Sequence, residues 1–519
     1  MESLGAASRA VLEAYGLEVR EVPGRGRCLC AGAAGLGAGA LALACAAYGV
    51  LPTWEHADVR CDYCLRAPEA ADGEWPRCSG CRRVRYCSRA CQQAAWARYH
   101  ARECRAAVWD AAHLAPGTLP GVSIDEIRLC TRLLWQRDAE RRTRTRSRNH
   151  TRPSGSDKDK DSDDGNNSES DLMEPKFEDM EALVSHAERI RREDPVRAAG
   201  TQQLAALVVA RHRAGALAGA AAVDVAEAEA LLYRMQCNDF GVWDGLIVCV
   251  GAGVFPAGAM VNHACDASCV VTYAFARGRR PVQQFRACRA LPPHAELTHA
   301  YLDVAAPTAR RQHDLAAQYL FTCTCARCVP PSPAAREAQR VLDAQLAGGN
   351  DGDDGDDGDD DAAPRPPGVS AAQRARLLAA ADALDARGTD LRADPADCRA
   401  ALEQCYALRT RLQHPRSLAL MATAAHLMTA ALETARWDLA RACGEHVLAT
   451  YRLVYPHVHP MLGLHLYTLG DIARHLRDTR AAVAHYREAL AILTLTHGPD
   501  APLVTGLAKL LKQTSSSNS

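Results

Sequence analysis

The chain has 519 residues, a charged fraction of 24% and a formal net charge of −1. This length is enough for about two to four domains with sizeable cores, and the balanced charge excludes a general attraction to nucleic acid or membrane surfaces. The start of the chain lacks the basic and then apolar pattern of a secretion signal, so we expect a cytoplasmic and nuclear protein. In that reducing environment, the 22 cysteines are expected to be metal ligands or free thiols.

The first 60 residues contain a glycine motif, Gly24-Arg25-Gly26, after a polar start. Glycine lets the backbone approach a ligand closely, although an ordinary tight turn is the commoner use of such a pair. The apolar run 31–50 is rich in glycine and alanine. It predicts a strand and a helix rather than a membrane span.

Region 61–104 places potential metal ligands in closely spaced pairs. Two ligands separated by two or three residues can bind one ion in the tetrahedral geometry that zinc adopts. Seven cysteines and one histidine make two complete sites, and metal must supply folding energy because the segment is too short for its own apolar core. The basic run 82–85 is expected to be a solvated face. The eight ligands are Cys61, Cys64, Cys78, Cys81, Cys87, Cys91, His100 and Cys104.

Residues 105–236 combine helical patterns with a low-complexity insert. The apolar spacing predicts an amphipathic helix over 122–135 and further helices over 177–192 and 201–236. Residues 137–171 are first arginine-rich and then acidic and serine-rich. This composition cannot bury a core and predicts a disordered loop, whose basic part is a weak candidate for a nuclear address.

The residues with chemical potential are concentrated downstream of position 236. Short apolar runs at 245–250 and 270–275 predict strands. The segment Asn262–Asp266 puts an amide, an imidazole and a thiol within a few positions, and three later cysteines are natural metal partners for that thiol. Those cysteines are Cys323, Cys325 and Cys328. We interpret these segments, together with Glu296–Asp303 between them, as one active site with Tyr301 at the reacting centre.

The C-terminal region is predicted to be helical. The linker 331–369 contains one helix and the aspartate/glycine tract 351–361, which predicts a flexible acidic segment. Residues 370–513 show one helical pattern after another, and several small and aromatic residues have spacings like those of a tetratricopeptide (TPR) repeat. We expect an irregular TPR-like array followed by a short tail at 514–519. The repeat-like positions are Leu469, Gly470, Ala482, Tyr486 and Ala489.

The order of these features resembles that of the SET- and MYND-domain (SMYD) protein-lysine methyltransferases over nearly the whole chain. The resemblance implies an α+β fold, in which a β-rich SET domain carries an inserted MYND zinc finger and a helical insert and is followed by an all-α TPR-like domain. The implied parts are the N-terminal SET part at 1–60, the MYND finger at 61–104, the helical insert at 105–236 with the disordered loop 137–171, the core SET domain at 237–305, the post-SET segment at 306–330, the linker at 331–369 and the helical domain at 370–513.

The resemblance also implies S-adenosyl-L-methionine as the cofactor, three zinc ions and a catalytic role for Tyr301. The implied cofactor residues are Gly24, Arg25, Gly26, His186, Asn262, His263, Tyr301 and Phe321. The implied walls of the lysine channel are Phe240, Tyr319 and Phe321. The implied zinc sets are Cys61, Cys64, Cys87 and Cys91 for the first ion, Cys78, Cys81, His100 and Cys104 for the second, and Cys265, Cys323, Cys325 and Cys328 for the third.

Four positions depart from the family pattern without removing a group assigned to the chemistry. Arg27 follows the glycine motif where a hydrophobic residue is usual, and Ala264 replaces serine. Ala267-Ser268 stands where the family has Pro-Asn, and the loop 292–295 lacks the customary glycine.

The resemblance implies methylation of lysine on histone and/or non-histone proteins. Aromatic walls suit a lysine stem, and burial beside a cationic sulfonium favours the neutral amine that can accept a methyl group. The alternative is a catalytically weak or inactive MYND/TPR-like adaptor or transcriptional co-repressor. The finger is expected to bind proline-rich peptides, and we expect a monomer that contacts neither membranes nor nucleic acid directly.

Overall fold

The computed structural model describes residues 4–23, 25–69, 72–115, 121–150, 174–217, 221–348, 369–390 and 392–516. The predicted cofactor residue Gly24 and the acidic tract 351–361 lie outside these ranges. Over the described residues the chain forms ten strands and seventeen α-helices. The expected mixture of helix and strand, with a helical C-terminal region, is therefore confirmed.

The strands belong to two stretches of the chain that are far apart in sequence. They are β1 Leu17–Val22, β2 Gly26–Ala31, β3 Leu41–Ala46, β4 Gly49–Pro52, β5 Asp239–Trp243, β6 Cys249–Val254, β7 Asn262–His263, β8 Cys269–Ala274, β9 Val282–Ala287 and β10 Thr298–His299. The run 31–50 contains two strands and turns but no helix, which corrects the helical part of its prediction. Its leucines and small apolar residues lie in buried strands instead.

The helices form an insert between β4 and β5 and a long C-terminal series. Before them, α1 Ala6–Ala14 precedes β1. The insert comprises α2 Arg89–Ala95, α3 Ala101–His113, α4 Ile124–His150, α5 Phe177–Glu181, α6 Ala187–Glu193, α7 Pro195–Ala214 and α8 Val225–Asn238. The C-terminal series comprises α9 Thr308–Tyr319, α10 Pro333–Leu346, α11 Ala371–Gly388, α12 Pro395–Leu412, α13 Leu418–Glu433, α14 Trp437–Val454, α15 Pro460–His475, α16 Thr479–His497 and α17 Pro502–Ser516.

Two three-stranded antiparallel sheets join the N-terminal strands to the later ones. One has the order β3-β9-β8 and pairs Leu43 with Phe285, and the other has the order β4-β6-β5 and pairs Leu51 with Ala252. The hairpin β1-β2 and the parallel pair β7-β10 complete the β-rich part. Leu29, Leu43 and Phe285 are fully buried in its core, so the two distant stretches share one hydrophobic interior.

The zinc-ligand region is fastened to α4 by a buried arginine. The Arg132 guanidinium donates to both carboxylate oxygens of Glu103 at 2.8 Å and to Asp62 at 2.8 Å. It also lies 4.0 Å from the ring centre of Tyr99. All three charged groups are buried, so each depends on the others for the hydrogen bonds it has lost from water. This network fixes region 61–104 against the helical insert.

The predicted disorder over 137–171 is wrong for its first part, because α4 continues to His150. Arginine is a good helix former, and the first residues of the run are buried rather than solvated. Arg137 pairs with Glu227, and Asp138 accepts from Arg102 at 3.1 Å. Composition alone could not reveal these partners. Residues 151–171 lie outside the described ranges.

Other predicted elements are shifted or divided. The helix expected over 177–192 is two short helices, α5 and α6, separated by a break at 182–186. The pattern over 201–236 contains the end of α7 and all but the last two residues of α8. The strand expected at 245–250 begins only at Cys249, because a turn closed by the Asp244 carboxylate precedes it.

Each helix from α12 to α17 packs on the one before it, as the repeat-like spacing predicts. Several helix starts are set by local chemistry: Asp478, for example, accepts a hydrogen bond from the Ala481 amide at 3.0 Å. A side chain at Gly470 would lie 2.4 Å from the Tyr486 ring, which explains why glycine occupies the crossing of α15 and α16. Residues 514–516, expected to be tail, belong to α17. Within the described ranges, no helix is both long and apolar enough to cross a membrane.

We predict that Arg132→Met lowers the free energy of unfolding by about 3–5 kcal/mol, because it leaves two buried carboxylates without a counter-charge. Urea titration followed by tryptophan fluorescence measures the change. Arg144→Met is the matched control, since Arg144 is exposed on the same helix and, among the described residues, forms an ion pair with the exposed Glu178. It should cost less than about 1 kcal/mol. Equal effects of the two substitutions would contradict the role given to Arg132.

Candidate active site

A parallel pairing of two residues in β7 with two in β10 organises the site. Asn262 pairs with Thr298, and His263 pairs with His299. The pairing brings the Asn262–Asp266 segment beside the Glu296–Asp303 segment. Side chains alternate along a strand, so the buried Thr298 faces one side while His299 and Tyr301 share the other.

Asn262 joins the glycine motif to Glu296. Its side-chain amide donates to the Arg27 carbonyl at 2.9 Å and to the Glu296 carboxylate at 3.1 Å. The other Glu296 oxygen lies 3.2 Å from the guanidinium of Arg25. Gly26 adopts φ = 71°, a left-handed conformation that favours glycine. The structure therefore brings together the predicted residues Arg25, Gly26 and Asn262, and it joins them to Glu296, which belongs to the predicted active-site segment but was given no role of its own.

The His263 ring is held at both nitrogens. Its Nδ1 accepts from the Tyr301 backbone N–H at 2.9 Å, so the ring proton is on Nε2, which lies 3.3 Å from the Cys265 sulfur. The imidazole thus links the cysteine cluster directly to the backbone of Tyr301. With both ring nitrogens engaged inside the protein, the groups of His263 best suited to bind a ligand are those of its backbone.

Tyr301 lies at the centre of an aromatic group. Its hydroxyl donates to the Val261 carbonyl at 3.0 Å. Burial raises the pKa of this phenol well above its ordinary range, so it stays neutral at physiological pH. The ring centre lies 4.7 Å from that of His299, 4.8 Å from Tyr319 and 6.4 Å from Phe321.

The predicted channel residues lie on different sides of Tyr301. Tyr319, at the end of α9, packs against the Tyr301 ring, and Phe321 lies beside the rings of both Tyr301 and His263. Phe240, in β5, does not pair with Tyr301 but stacks on His299 at 5.6 Å with an interplanar angle of 26°. The structure therefore makes His299 the connection between Phe240 and Tyr301.

A cleft of about 560 Å³ opens beside these rings, between the β-rich part and the chain around α15. Among the described residues that line it, none is a lysine or an arginine. It contains the carboxylates of Asp239, Asp244 and Asp303, and Tyr455 closes the helical side by donating to Asp303 at 3.0 Å. A cation meets no positively charged competitor in this cleft.

The carboxyl group of Asp239 has a raised pKa. Burial raises its pKa to about 7, and the negative charge of Glu126 contributes to the same shift. Asp239 directly precedes Phe240 in β5. The carboxyl group is therefore partly protonated near neutral pH at the wall of the cleft.

The cysteine cluster near Tyr301 has the geometry of a metal site. The sulfurs of Cys265, Cys323, Cys325 and Cys328 all lie within 4.8 Å of one another, and the Cys265 and Cys328 sulfurs are 3.5 Å apart. Four thiolates at about 2.3 Å from a tetrahedral zinc would have edges of about 3.8 Å. Arg311 adds a donor at 3.7 Å from the Cys328 sulfur, which balances thiolate charge.

Region 61–104 contains two similar clusters that pair the ligands as the resemblance implied. Cys61, Cys64, Cys87 and Cys91 form one group, and Cys78, Cys81, His100 and Cys104 form the other. The ligand atoms of each group lie within 4.8 Å of one another. His100 directs Nε2 to the Cys81 sulfur at 3.7 Å, while its Nδ1 lies 3.6 Å from Glu103. The donor set of each group fits a tetrahedral zinc.

His186 lies at the break before α6 with φ = 49°. Burial lowers the pKa of its imidazole, and the nearby Arg189 and Arg197 act in the same direction. The segment around His186 contacts the chain just after the glycine motif and the chain just before Phe321. Arg27 donates to the Ala182 carbonyl at 3.2 Å, and Arg189 donates to the Leu320 carbonyl at 2.6 Å. His186 is thus beside the site, whereas Asn262 and Tyr301 are inside it.

The segment Ala267-Ser268, which departs from the family pattern, is held in place by several hydrogen bonds. The Ser268 hydroxyl accepts from the Thr298 amide at 2.9 Å, and the Thr298 hydroxyl accepts from the Ser268 amide at 3.0 Å. Arg289 donates to the carbonyls of residues 266 and 267. These partners were not predicted, because a lone serine or arginine gives no sequence signal for a contact so far along the chain. In the glycine-free loop 292–295, His294 itself adopts φ = 64°.

Comparison with known proteins agrees with this arrangement. Residues 61–104 match the MYND finger family. The chain is 25% identical to histone-lysine N-methyltransferase ASHR1 of Arabidopsis thaliana, over 90% of this chain and 88% of that protein. It is 24% identical to histone-lysine N-methyltransferase SMYD3 of Homo sapiens, over 88% and 87%. It is 23% identical to N-lysine methyltransferase SMYD2 of Gallus gallus, over 97% and 99%.

A solved structure of TPR-like repeats from a Podosopora anserina kinesin light chain covers 41% of this chain and 87% of its own length. The identity is 17% and the TM-score is 0.23, so no argument rests on it. The sequence relatives and the MYND finger confirm the resemblance to the SMYD lysine methyltransferases over most of the chain.

We predict that Asp239→Asn gains stability relative to the unsubstituted protein as the pH rises. The unfolded carboxyl ionises near its ordinary pKa of 3.8, whereas the folded one keeps its proton up to about pH 7. Between pH 3.8 and about 7, the folded state therefore holds a proton that the unfolded state has lost. The stability that comes from this proton falls as the pH rises and is gone above about pH 7. Thermal unfolding at several pH values from 5.5 to 8.5 measures the difference, which should grow to about pH 7 and then level off.

Asp239→Ala serves as the control because it also removes the carboxyl group but has a different shape. It should show the same pH profile with a constant offset. A difference between Asp239→Asn and the unsubstituted protein that does not change with pH would show that Asp239 is ionised throughout.

Proposed function

We propose that this chain, a relative of the SMYD lysine methyltransferases, transfers methyl groups from S-adenosyl-L-methionine to lysine side chains of proteins. The observation that carries the proposal is the pairing of β7 with β10, which unites Asn262, His263 and Tyr301 beside an aromatic cleft without cationic side chains. The relatives named as lysine methyltransferases support it at the level of the family.

The residues that would hold the cofactor surround the corner formed by Asn262 and Glu296. Gly24 lies outside the described residues but adjoins this corner in sequence. When bound, the cofactor supplies an activated methyl group on a cationic sulfonium, so the protein has mainly to align the reactants and exclude water. The full set we propose is Gly24, Arg25, Gly26, His186, Asn262, His263, Tyr301 and Phe321.

The cleft would receive the lysine side chain. Phe240 and Tyr319 line this cleft, and Phe321 lies beside Tyr301. We propose that these three rings pack along the alkyl stem and attract the ammonium group. Once enclosed, the amine favours its neutral form because burial disfavours the charge, and the proton is released to solvent. Tyr301 would position the amine with the oxygen of its hydroxyl, whose hydrogen is already directed to Val261.

Zinc would occupy all three clusters. Two ions in region 61–104 would support the MYND finger, for which we propose proline-rich peptides as partners. A third ion on Cys265 and its partners would fix the segment that carries Asn262 and His263. We further propose a monomer of the cytoplasm and nucleus that acts on histone and/or non-histone proteins.

We predict that Tyr301→Phe reduces methyl transfer by about 10²-fold or more, because it removes a hydroxyl positioned at the reacting centre. Production of S-adenosylhomocysteine with a mixture of core histones and lysine-rich peptides gives the rate. Calorimetric titration gives the affinity for S-adenosylmethionine, which should change little.

Tyr467→Phe is the matched control, because Tyr467 lies in α15 of the helical array and packs against Tyr486. It should retain full activity. If the unsubstituted protein neither binds S-adenosylmethionine nor produces S-adenosylhomocysteine, the enzyme proposal fails and the adaptor alternative replaces it.

We predict three zinc ions per chain by elemental analysis, and two after Cys325→Ser. Loss of that ion should also weaken S-adenosylmethionine binding, because the Cys265 sulfur is hydrogen-bonded to His263. Cys405→Ser is the control, since this buried thiol donates to the Ala381 carbonyl and belongs to none of the three clusters. It should leave three ions. A zinc content unchanged by Cys325→Ser would refute the third site.

A further inference from the structure

The turn between β5 and β6 presents a cluster of apolar side chains to solvent. Three of the ten large apolar residues that are exposed in the described part of the chain lie within its six positions: Trp243 is 43% exposed, Leu246 63% and Val248 45%. Single exposed apolar residues are ordinary on protein surfaces, whereas a contiguous group marks a contact for another molecule. We call residues 243–248 the hairpin tip.

The hairpin tip contains a β-branched residue in an unfavourable backbone conformation. Ile247 adopts φ = 60°, which lies in the left-handed region that branched side chains rarely enter. Glycine or asparagine usually occupies such a position in a hairpin. Local folding therefore disfavours isoleucine here, and backbone strain of this kind is concentrated at functional positions.

The hairpin tip is held in this shape from two sides. The Asp244 carboxylate accepts from the amides of Leu246 and Val248 at 3.0 and 3.1 Å, and its other oxygen pairs with Arg60 at 2.7 Å. From the helical array, the imidazole of His497 is hydrogen-bonded to the backbone of the tip. The apolar side chains are thus presented by a fixed turn, which reduces the entropy lost when a partner binds.

The hairpin tip forms one end of the cleft that contains the reacting centre. Trp243 and Ile247 both line this cleft. From Trp243, β5 leads back to Phe240, which stacks on His299 beside Tyr301. Three residues of a strand span about 10 Å. An extended peptide with its lysine at Tyr301 would cover that distance with about three residues.

We propose that the hairpin tip binds a large apolar side chain of the protein substrate, two to four residues from the target lysine, with Ile247 as its main contact. The inference rests on the proposed function, because it assigns the cleft to a substrate segment. The occupant is an extended segment that carries a lysine, since the cleft has the carboxylates of Asp239 and Asp303 and, among its described lining residues, no lysine or arginine. The tip is continuous with this cleft, so the apolar residue and the lysine belong to the same segment.

A positional peptide library tests the inference without a known substrate. Each pool has one central lysine, one fixed residue at one other position and a lysine-free mixture elsewhere. The measurement is transfer of the labelled methyl group from S-adenosylmethionine to each pool. Pools with leucine, isoleucine, methionine or phenylalanine at one of the positions two to four residues from the lysine should be labelled about five- to tenfold more than those with glycine or serine there, the effect of burying part of an apolar side chain.

Ile247→Asn separates the proposed contact from a role in folding. Asparagine adopts the left-handed conformation more readily than isoleucine, so the melting temperature should not fall, whereas the preference for an apolar residue should fall below about twofold. Val108→Asn is the matched control, because Val108 is 83% exposed in α3 and is not among the residues that line the cleft. It should leave the preference unchanged.

The outcomes separate the inference from the proposed function. Absence of label from every pool would overturn both together. Labelling without an apolar preference at these positions would overturn the inference alone, as would a preference that survives Ile247→Asn. A clearly lower melting temperature of Ile247→Asn would show that the side chain serves the fold, which also contradicts the inference. A dimer of the unsubstituted protein in sedimentation that Ile247→Asn disperses would do the same, because a second copy of the chain would then cover the tip.

Discussion

The pairing of Asn262–His263 with Thr298–His299 is the constraint on which the rest of the site depends. The pairing has only two residues on each strand. It nevertheless fixes the relative positions of the glycine motif, the segments Asn262–Asp266 and Glu296–Asp303, and the cysteine cluster. A slip of one residue would turn His299 toward Ser268 and Thr298 toward the cleft, because neighbouring side chains point to opposite faces. The reciprocal hydrogen bonds of Ser268 with Thr298 oppose such a slip.

The site also couples the cysteine cluster to the orientation of Tyr301. One imidazole, that of His263, touches the Cys265 sulfur with one nitrogen and the Tyr301 amide with the other. The charge on the cysteine cluster therefore acts on the proton of Nε2, and the opposite nitrogen anchors the backbone of Tyr301. Such support of functional residues through a second layer of contacts is common around protein metal sites.

Much of this organisation could be predicted, and the exceptions have physical reasons. The paired spacings of Cys61–Cys104 were informative because neighbouring ligands must reach one small ion. The prediction of disorder from residue 137 was wrong for its first part, because Arg137 and Asp138 have partners far along the chain. Ser268 was identified only as a departure from the family, since its partner Thr298 cannot be inferred from local pattern. From the sequence, His299 was only one residue of the segment Glu296–Asp303. Its burial could not be inferred, because it depends on contacts with the distant rings of Phe240 and Phe285.

The joining of β3 to β9 and of β4 to β6 has a consequence for synthesis of the protein. The apolar strands β3 and β4 leave the ribosome long before their partners exist, because the entire insert of finger and helices is translated in between. Long-range strand pairing is slow to form, and unpaired apolar strands are prone to aggregate. During translation, β3 and β4 therefore remain unpaired apolar strands until β6 and β9 have been made.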